Sequence, residues 1–218
     1  MTVMPIRENR GIFHIQDMLN RPETTMSYFS DYATTLFSRL QSVVATDERE
    51  KVLEIQAAFD RWRHLTTAAH DGGHAHYFIG NGASATMASH MALDCAKNAG
   101  IRALAFNDPA SLTALGNDVG FDRCFAEPLR WHARAGDLLV AISSSGRSRN
   151  ILVALEAART IGCNVVTLTG MGEDNPARKG GGLNFYIPAK TYGAVECAHQ
   201  ILLHYWLDQY MGLEEWGR

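Results

Sequence analysis

Two apolar runs in this chain end in very small residues and then give way to a helical pattern. That arrangement restricts the fold more than anything else in the sequence. The first reads His76-Tyr77-Phe78-Ile79-Gly80-Asn81-Gly82-Ala83-Ser84, and the second, about sixty residues on, Leu138-Leu139-Val140-Ala141-Ile142-Ser143-Ser144-Ser145-Gly146-Arg147-Ser148. Short unbroken apolar runs bounded by turn residues fit strands buried on both faces. A strand that turns through small residues into a helix leaves free N–H groups, and here hydroxyls, at the positive end of the helix dipole. Such a turn suits an anion such as a sugar phosphate.

The same alternation continues along the chain. Strands are expected at 75–79, 101–106, 137–142, 163–168 and 183–187, and helices at 84–98, near 109–115, at 123–133, 149–161 and 191–211. Strands alternating with helices imply a parallel sheet covered on both faces, with ligands bound outside the carboxyl ends of the strands, where both small-residue turns lie. Gly170 to Gly182, polar and glycine-rich, is expected to be a mobile loop. Residues 1–24 read as an irregular or partly helical arm. From Met26 to Val44, Tyr28, Phe29, Tyr32, Leu36, Leu40 and Val43 recur at helical spacing. Asp47 is placed to cap a second helix running to about Ala69, with Val52, Ile55, Phe59 and Trp62 on one stripe. Two long helices would then precede the first strand, with aromatic surface to spare for another subunit.

At 218 residues and 46% hydrophobic the chain can bury one substantial core, and a net charge of −3 offers no broad attraction for nucleic acid or an anionic membrane. No run of eighteen apolar residues occurs and Met1 to Asn20 is charged throughout, which speaks against a membrane span or a secretory signal. Cys95, Cys124, Cys163 and Cys197 are scattered without CxxC spacing, as expected of buried reduced thiols in a cytoplasmic protein.

Gly80-x-Gly82-x-x-Ala85, with Asp108 following, also fits a loose dinucleotide fingerprint. A nicotinamide site has no need of four serines in six positions at a later strand end, whereas hydroxyls and N–H groups can surround a compact phosphate. Ser148 is also placed to cap the following helix. His90 and Asp94, four apart, leave one helix face together. Glu196, His199, Gln200 and His204 interrupt an otherwise apolar C-terminal helix. Imidazoles and carboxylates from two helices can bind Zn²⁺ or a similar ion, or remain ordinary surface and hydrogen-bonded groups. His14, His64, His70, His74, His76 and His132 carry no such pattern.

Taken together, these segments resemble the phosphoheptose isomerases of the SIS, or sugar-isomerase, domain group. Those that match are Gly80 to Ser84 with His90 and Asp94, Asn107-Asp108, Gly116 to Phe121, Ile142 to Ser148, Thr167 to Gly170, and Glu196 to His204. The resemblance implies an α/β three-layer sandwich with a five-stranded parallel sheet, flavodoxin-like, preceded by two N-terminal helices. It divides the chain into a helical arm with oligomerisation helices (1–70) and a sugar-phosphate-binding domain (71–218). It further implies a cytoplasmic homotetramer with active sites between subunits, acting on a small sugar phosphate and binding neither nucleic acid nor membrane.

By the same resemblance Ser143, Ser144, Ser145 and Ser148 bind phosphate, Asn81, Gly82 and Ser84 face the substrate, and Asp108 holds sugar hydroxyls. One Zn²⁺ per subunit falls to His90, Asp94, Glu196 and His204, with Asp94 as catalytic base and His204 as acid, or the two roles reversed. The implied reaction converts sedoheptulose 7-phosphate to D-glycero-D-manno-heptose 7-phosphate through an enediol. Asp94 stands where the family has Glu, withdrawing the carboxylate by about 1.5 Å, and a displacement of about 1 Å can cost a hundredfold in rate. Glu196 replaces a neutral Gln, Lys97-Asn98 stands where an Arg is usual, and Gly193 replaces an Asp. These departures leave two alternatives open: a non-catalytic regulator that binds phosphosugars, and an isomerase for a different ketose phosphate.

Overall fold

The computed structural model describes residues 28–215. The chain divides into two compact units, Met1–Thr34 and Thr35–Arg218; residues 28–34 of the first begin helix α1, Tyr28–Gln41. The expected N-terminal arm lies outside the described residues.

The larger unit is built on one sheet of seven strands in the order β2-β1-β7-β6-β5-β3-β4. Five of them, β3 (His76–Gly80), β4 (Ala103–Ala105), β5 (Leu138–Ser143), β6 (Asn164–Gly170) and β7 (Leu183–Ile187), pair in parallel. These are the five expected strands. The sheet is extended by a hairpin that sequence reading missed: β1 (Val44–Asp47) pairs antiparallel with both β7 and β2 (Val52–Leu53). The first strand therefore lies between the two N-terminal helices, not after both. Asp47 caps no helix; its carboxylate accepts from the N–H groups of Arg49 and Lys51 across the hairpin turn. Helix α2 begins later, at Ile55–Asp71, and Glu54 caps it by accepting from the Ala57 N–H at 2.8 Å.

Strand alternation divides the core between the two faces of the sheet. Phe78, Leu138, Val140, Ile142, Val166, Leu168 and Phe185 point to one face, where α2, α3 (Ala83–Ala99) and α7 (Tyr192–Met211) cover them. Tyr77, Ile79, Leu139, Ala141 and Val165 point to the other, under α5 (Ala126–His132) and α6 (Arg149–Ile161). The result is three layers, as period-2 burial on both faces of a parallel sheet requires. Trp62 of α2 stacks on Trp206 of α7, ring centroids 4.6 Å apart, and the Trp206 indole donates to Thr66 Oγ1 at 3.0 Å. Helix α4 (Pro109–Asp118) follows β4.

The Gly170–Gly182 segment, expected to be loose, is pinned by Asn175. This buried side chain donates to the carbonyls of Gly170 and Gly172 and caps a short 3-10 turn, Pro176–Gly180. Of the four cysteines, Cys95 and Cys124 are buried, whereas Cys163 is half-buried and Cys197 exposed, so burial holds for only two of them. Among the described residues no helix is long and apolar enough to cross a membrane.

Candidate active site

Both small-residue turns open into one cavity of about 260 Å³ at the carboxyl ends of β3 and β5. Asn81, Gly82 and Ser84 line it from the β3–α3 turn, Ser143, Ser144, Ser145 and Ser148 from the β5–α6 turn, and Tyr192 and Glu196 from the start of α7. Two backbone positions make the turns possible. A Cβ at Gly80 would stand 2.5 Å from the Ser84 carbonyl, so only glycine lets α3 start this close to the strand. Gly146 has φ +60° and packs against Asn175, joining the serine turn to the pinned loop; the Ala177 N–H donates to the Gly146 carbonyl at 3.1 Å.

The cavity is chemically unfinished in the way an anion would complete. Helices α3 and α6 both begin there, with Gly82 and Ser148 at their N-cap positions, and neither makes a side-chain capping bond. The positive ends of two helix dipoles thus meet at the cavity, although the Ile151 N–H of α6 is already taken by Asn150 Oδ1 at 3.0 Å. Ser144 is buried and its Oγ has no hydrogen-bond partner. A buried hydroxyl without a partner is costly unless a ligand supplies one. The capping role considered for Ser148 is therefore not the one its side chain plays.

A residue that sequence reading passed over holds the two turns together. Asn81 donates to Asn150 Oδ1 at 2.9 Å and Asn150 donates back to Asn81 Oδ1 at 2.8 Å. Asn150 is itself buried on the first turn of α6 and also contacts Cys124 Sγ at 3.4 Å. Tyr192 was also passed over; a lone aromatic at a helix start carries no signal in sequence. Asp108 is placed otherwise than expected. It is exposed, caps α4 by accepting from the Ser111 N–H and hydroxyl at 2.9 Å, and does not line the cavity. Those two hydrogen bonds hold its carboxyl below the usual carboxylate range. Its neighbour Asn107 faces α3, donating to the Ala85 carbonyl and to Ser89 Oγ.

Farther along the two helices whose first turns wall the cavity lies a second cluster. His90 Nε2 stands 3.2 Å from Asp94 Oδ2, and the His90 and His204 rings meet edge to face with centroids 5.4 Å apart. One donor atom from each of His90, Asp94 and His204 lies within 4.8 Å of the others. Two imidazoles and one carboxylate are a donor set that divalent-metal sites use, so these residues fit the implied ion. Glu196 is not brought into this cluster; it stands eight residues before His204, a helical rise of about 12 Å, and lines the serine cavity. His199, on the opposite face of α7, is fully buried with Nε2 3.1 Å from the Thr169 carbonyl, and burial pushes its pKa down to about 4. It is a neutral core histidine. Gln200 turns to Met91 Sδ and ties α7 to α3.

Comparison with known proteins places this geometry. Residues 31–170 match the SIS domain family. The chain is 42% identical over 114 residues to a phosphoheptose isomerase of Rhodospirillum rubrum, an alignment covering 50% of this chain and 61% of that relative. It is 34% identical over 158 residues to one from Citrifermentans bemidjiense, covering 69% of this chain and 81% of the other. The solved structure of a phosphoheptose isomerase from Neisseria gonorrhoeae superposes with a TM-score of 0.74 at 26% identity, covering 87% of this chain and all of that one.

Proposed function

This chain belongs to the SIS domain family and, within it, to the phosphoheptose isomerases, and from that premise we propose that it is an aldose–ketose isomerase of sugar phosphates, with sedoheptulose 7-phosphate as its substrate. The observation that carries this reading is the placement of two chemistries on one pair of helices. Helices α3 and α7 wall the phosphate cavity with Ser84 and Glu196, and carry His90, Asp94 and His204 about 9–15 Å farther along their axes. A phosphate seated among the serines would place the far end of an extended sugar toward that cluster, a span that favours a long-chain sugar over a triose.

Isomerisation moves a proton between C1 and C2 and needs a base at carbon, an acid at oxygen and stabilisation of the enediolate. Asp94, whose side chain is 20% exposed, takes the carbon-bound proton; His204 delivers one to the carbonyl oxygen. His90, 3.2 Å from Asp94, fixes the carboxylate. A divalent ion, which we assign as Zn²⁺, would be held by His90, Asp94 and His204 and supplies stabilisation of the developing oxyanion. Phosphate binding at the serine turn positions the reacting end. The exposed apolar residues of α1, Phe37 among them, support assembly with further copies, which we take to be a homotetramer. The free thiols of Cys95, Cys124 and Cys163 agree with a reducing cytoplasm.

The test is a screen of five- to seven-carbon ketose phosphates with and without added Zn²⁺, on the parent and on Asp94→Asn and His204→Ala. The expected result is turnover that depends on chain length and falls at least a hundredfold in both variants. Tight sugar-phosphate binding without turnover of any candidate would instead support a phosphosugar-binding regulator.

A further inference from the structure

A second cleft, of about 380 Å³, opens at the amino ends of β6 and β7, the opposite end of the sheet from the serine cavity. Three cations reach it from separate elements: Arg61 of α2, Arg159 at the end of α6 and Lys179 from the 3-10 turn before β7. The backbone of Gly180, Gly181 and Gly182 forms one wall. One carboxylate lines it, Glu48, and it already holds Arg61 at 2.9 Å. Lys179 is held at 3.0 Å by Glu50. Arg159 makes none of the ion pairs found among the described residues.

Both carboxylates come from the tip of the β1–β2 hairpin, and the tip is strained to present one of them. The Asp47 N–H donates to the Lys51 carbonyl and the Glu50 N–H to the Asp47 carbonyl, closing a three-residue loop. In that loop Glu50 has φ +61°, a position that ordinarily takes glycine. A glutamate there keeps an anion against Lys179 at a backbone cost that glycine would avoid. The two pairs are solvent-exposed, with side-chain exposures of 39–62%, so each is weakly held and open to exchange.

We propose that this cleft is a second anion site, which takes a pyrophosphate-type group between Arg61, Arg159 and Lys179, displacing the hairpin carboxylates that occupy two of those cations in its absence. Three cations converging on a space larger than the serine cavity match a ligand carrying more than one phosphoryl charge. A lone phosphate would leave one or more of them unmatched. The site involves no residue of the isomerase reading and stands whether or not that reading does.

The probe is inorganic pyrophosphate, titrated into ¹⁵N-labelled protein while the backbone amides are followed. In the parent the Gly180, Gly181 and Gly182 amides are expected to shift, and the shift to survive Ser144→Ala with Ser148→Ala in the serine cavity. Arg159→Ala with Lys179→Ala should weaken that response at least tenfold. Glu50→Gly, which removes the competing carboxylate and relieves the turn, should tighten it severalfold. All these changes are at exposed side chains or small hydroxyls, and a dispersed spectrum verifies that each variant is folded. Glycine amides that stay still while those of Ser143 to Ser145 move would overturn the proposal, as would a response unaltered by the Arg159 and Lys179 changes.

Discussion

Glu196 puts a carboxylate on the wall of a cavity otherwise furnished with hydroxyls and N–H groups, and among the described residues no lysine or arginine lines that cavity to offset it. A cavity of about 260 Å³ treated as a sphere is about 8 Å across. With an effective dielectric of roughly 40 for a site open to solvent on one side, one charge pair at that separation is worth about 1 kcal/mol, and a phosphate dianion about 2 kcal/mol. Fuller screening halves the figure. Glu196→Gln keeps the shape and removes the charge, so it should tighten inorganic phosphate by about 5- to 30-fold, at about 1.4 kcal/mol per factor of ten. The assay is calorimetric titration with phosphate at low ionic strength, with a chelator present so that no cation masks the carboxylate. Added salt should shrink the gain, since the repulsion is partly solvent-screened. Unchanged or weaker phosphate binding in Glu196→Gln would refute the reasoning and show that Glu196 faces away from the bound anion.

Other consequences follow from the same geometry. Asn150→Ala removes both amide bonds to Asn81 and leaves that side chain unmatched in a half-buried site, so chemical denaturation should show a loss of about 1–3 kcal/mol, with weaker phosphate binding. Gly146→Ala drives a Cβ into Asn175 at a left-handed position, and phosphate affinity should fall beyond detection while the circular dichroism spectrum persists. His76 and His199 are buried with pKa values pushed down to about 4 by desolvation from the ordinary 6.5. Below pH 6.5 the unfolded chain binds protons that the native state refuses, so stability is constant above 6.5 and falls as pH drops toward 4. The loss reaches on the order of 3 kcal/mol for each histidine. Urea midpoints measured across that window should follow this slope, and a flat profile would contradict it.

Four of the five parallel strands and the two small-residue turns were legible because β3, β5, β6 and β7 are short, largely apolar and buried on both faces, whereas β4, with Leu104 exposed, was legible only from its place in the strand–helix alternation. Helices α3, α6 and α7 start within one residue of their expected positions for the same reason: small residues mark the points where chain direction changes. The hairpin was not legible. Its strands are four and two residues long, and Val52, Ile55, Phe59 and Trp62 also satisfy a helical stripe, so helix periodicity absorbed β2. Asp47 shows the ambiguity at one residue: a side-chain oxygen that accepts nearby N–H groups does so equally in a helix cap and in a hairpin turn. Asp108 shows its converse, since the cap it forms could not be told from a sugar contact by residue type alone.

Of the expected metal ligands, His90 and Asp94 were fixed by i,i+4 spacing, and His204 joins them through the packing of α7 on α3. Glu196 was grouped with them through the family resemblance, and helix rise carries it back to the serine cavity. Asn150 and Tyr192 escaped notice because a single polar or aromatic residue near a helix start has too many ordinary uses to signal a site.

The account depends on proton transfer by Asp94 at a sugar whose phosphate is held among the serines. The direct measurement is isomerisation of sedoheptulose 7-phosphate in D₂O, with the aldose product examined by NMR for deuterium at C2. An enediol formed by a half-buried carboxylate that still reaches solvent exchanges its proton with it, so the parent should give deuterated product, and Asp94→Asn should slow its appearance at least a hundredfold with inorganic phosphate affinity unchanged. Product free of deuterium, or equal rates in parent and variant, would contradict the account.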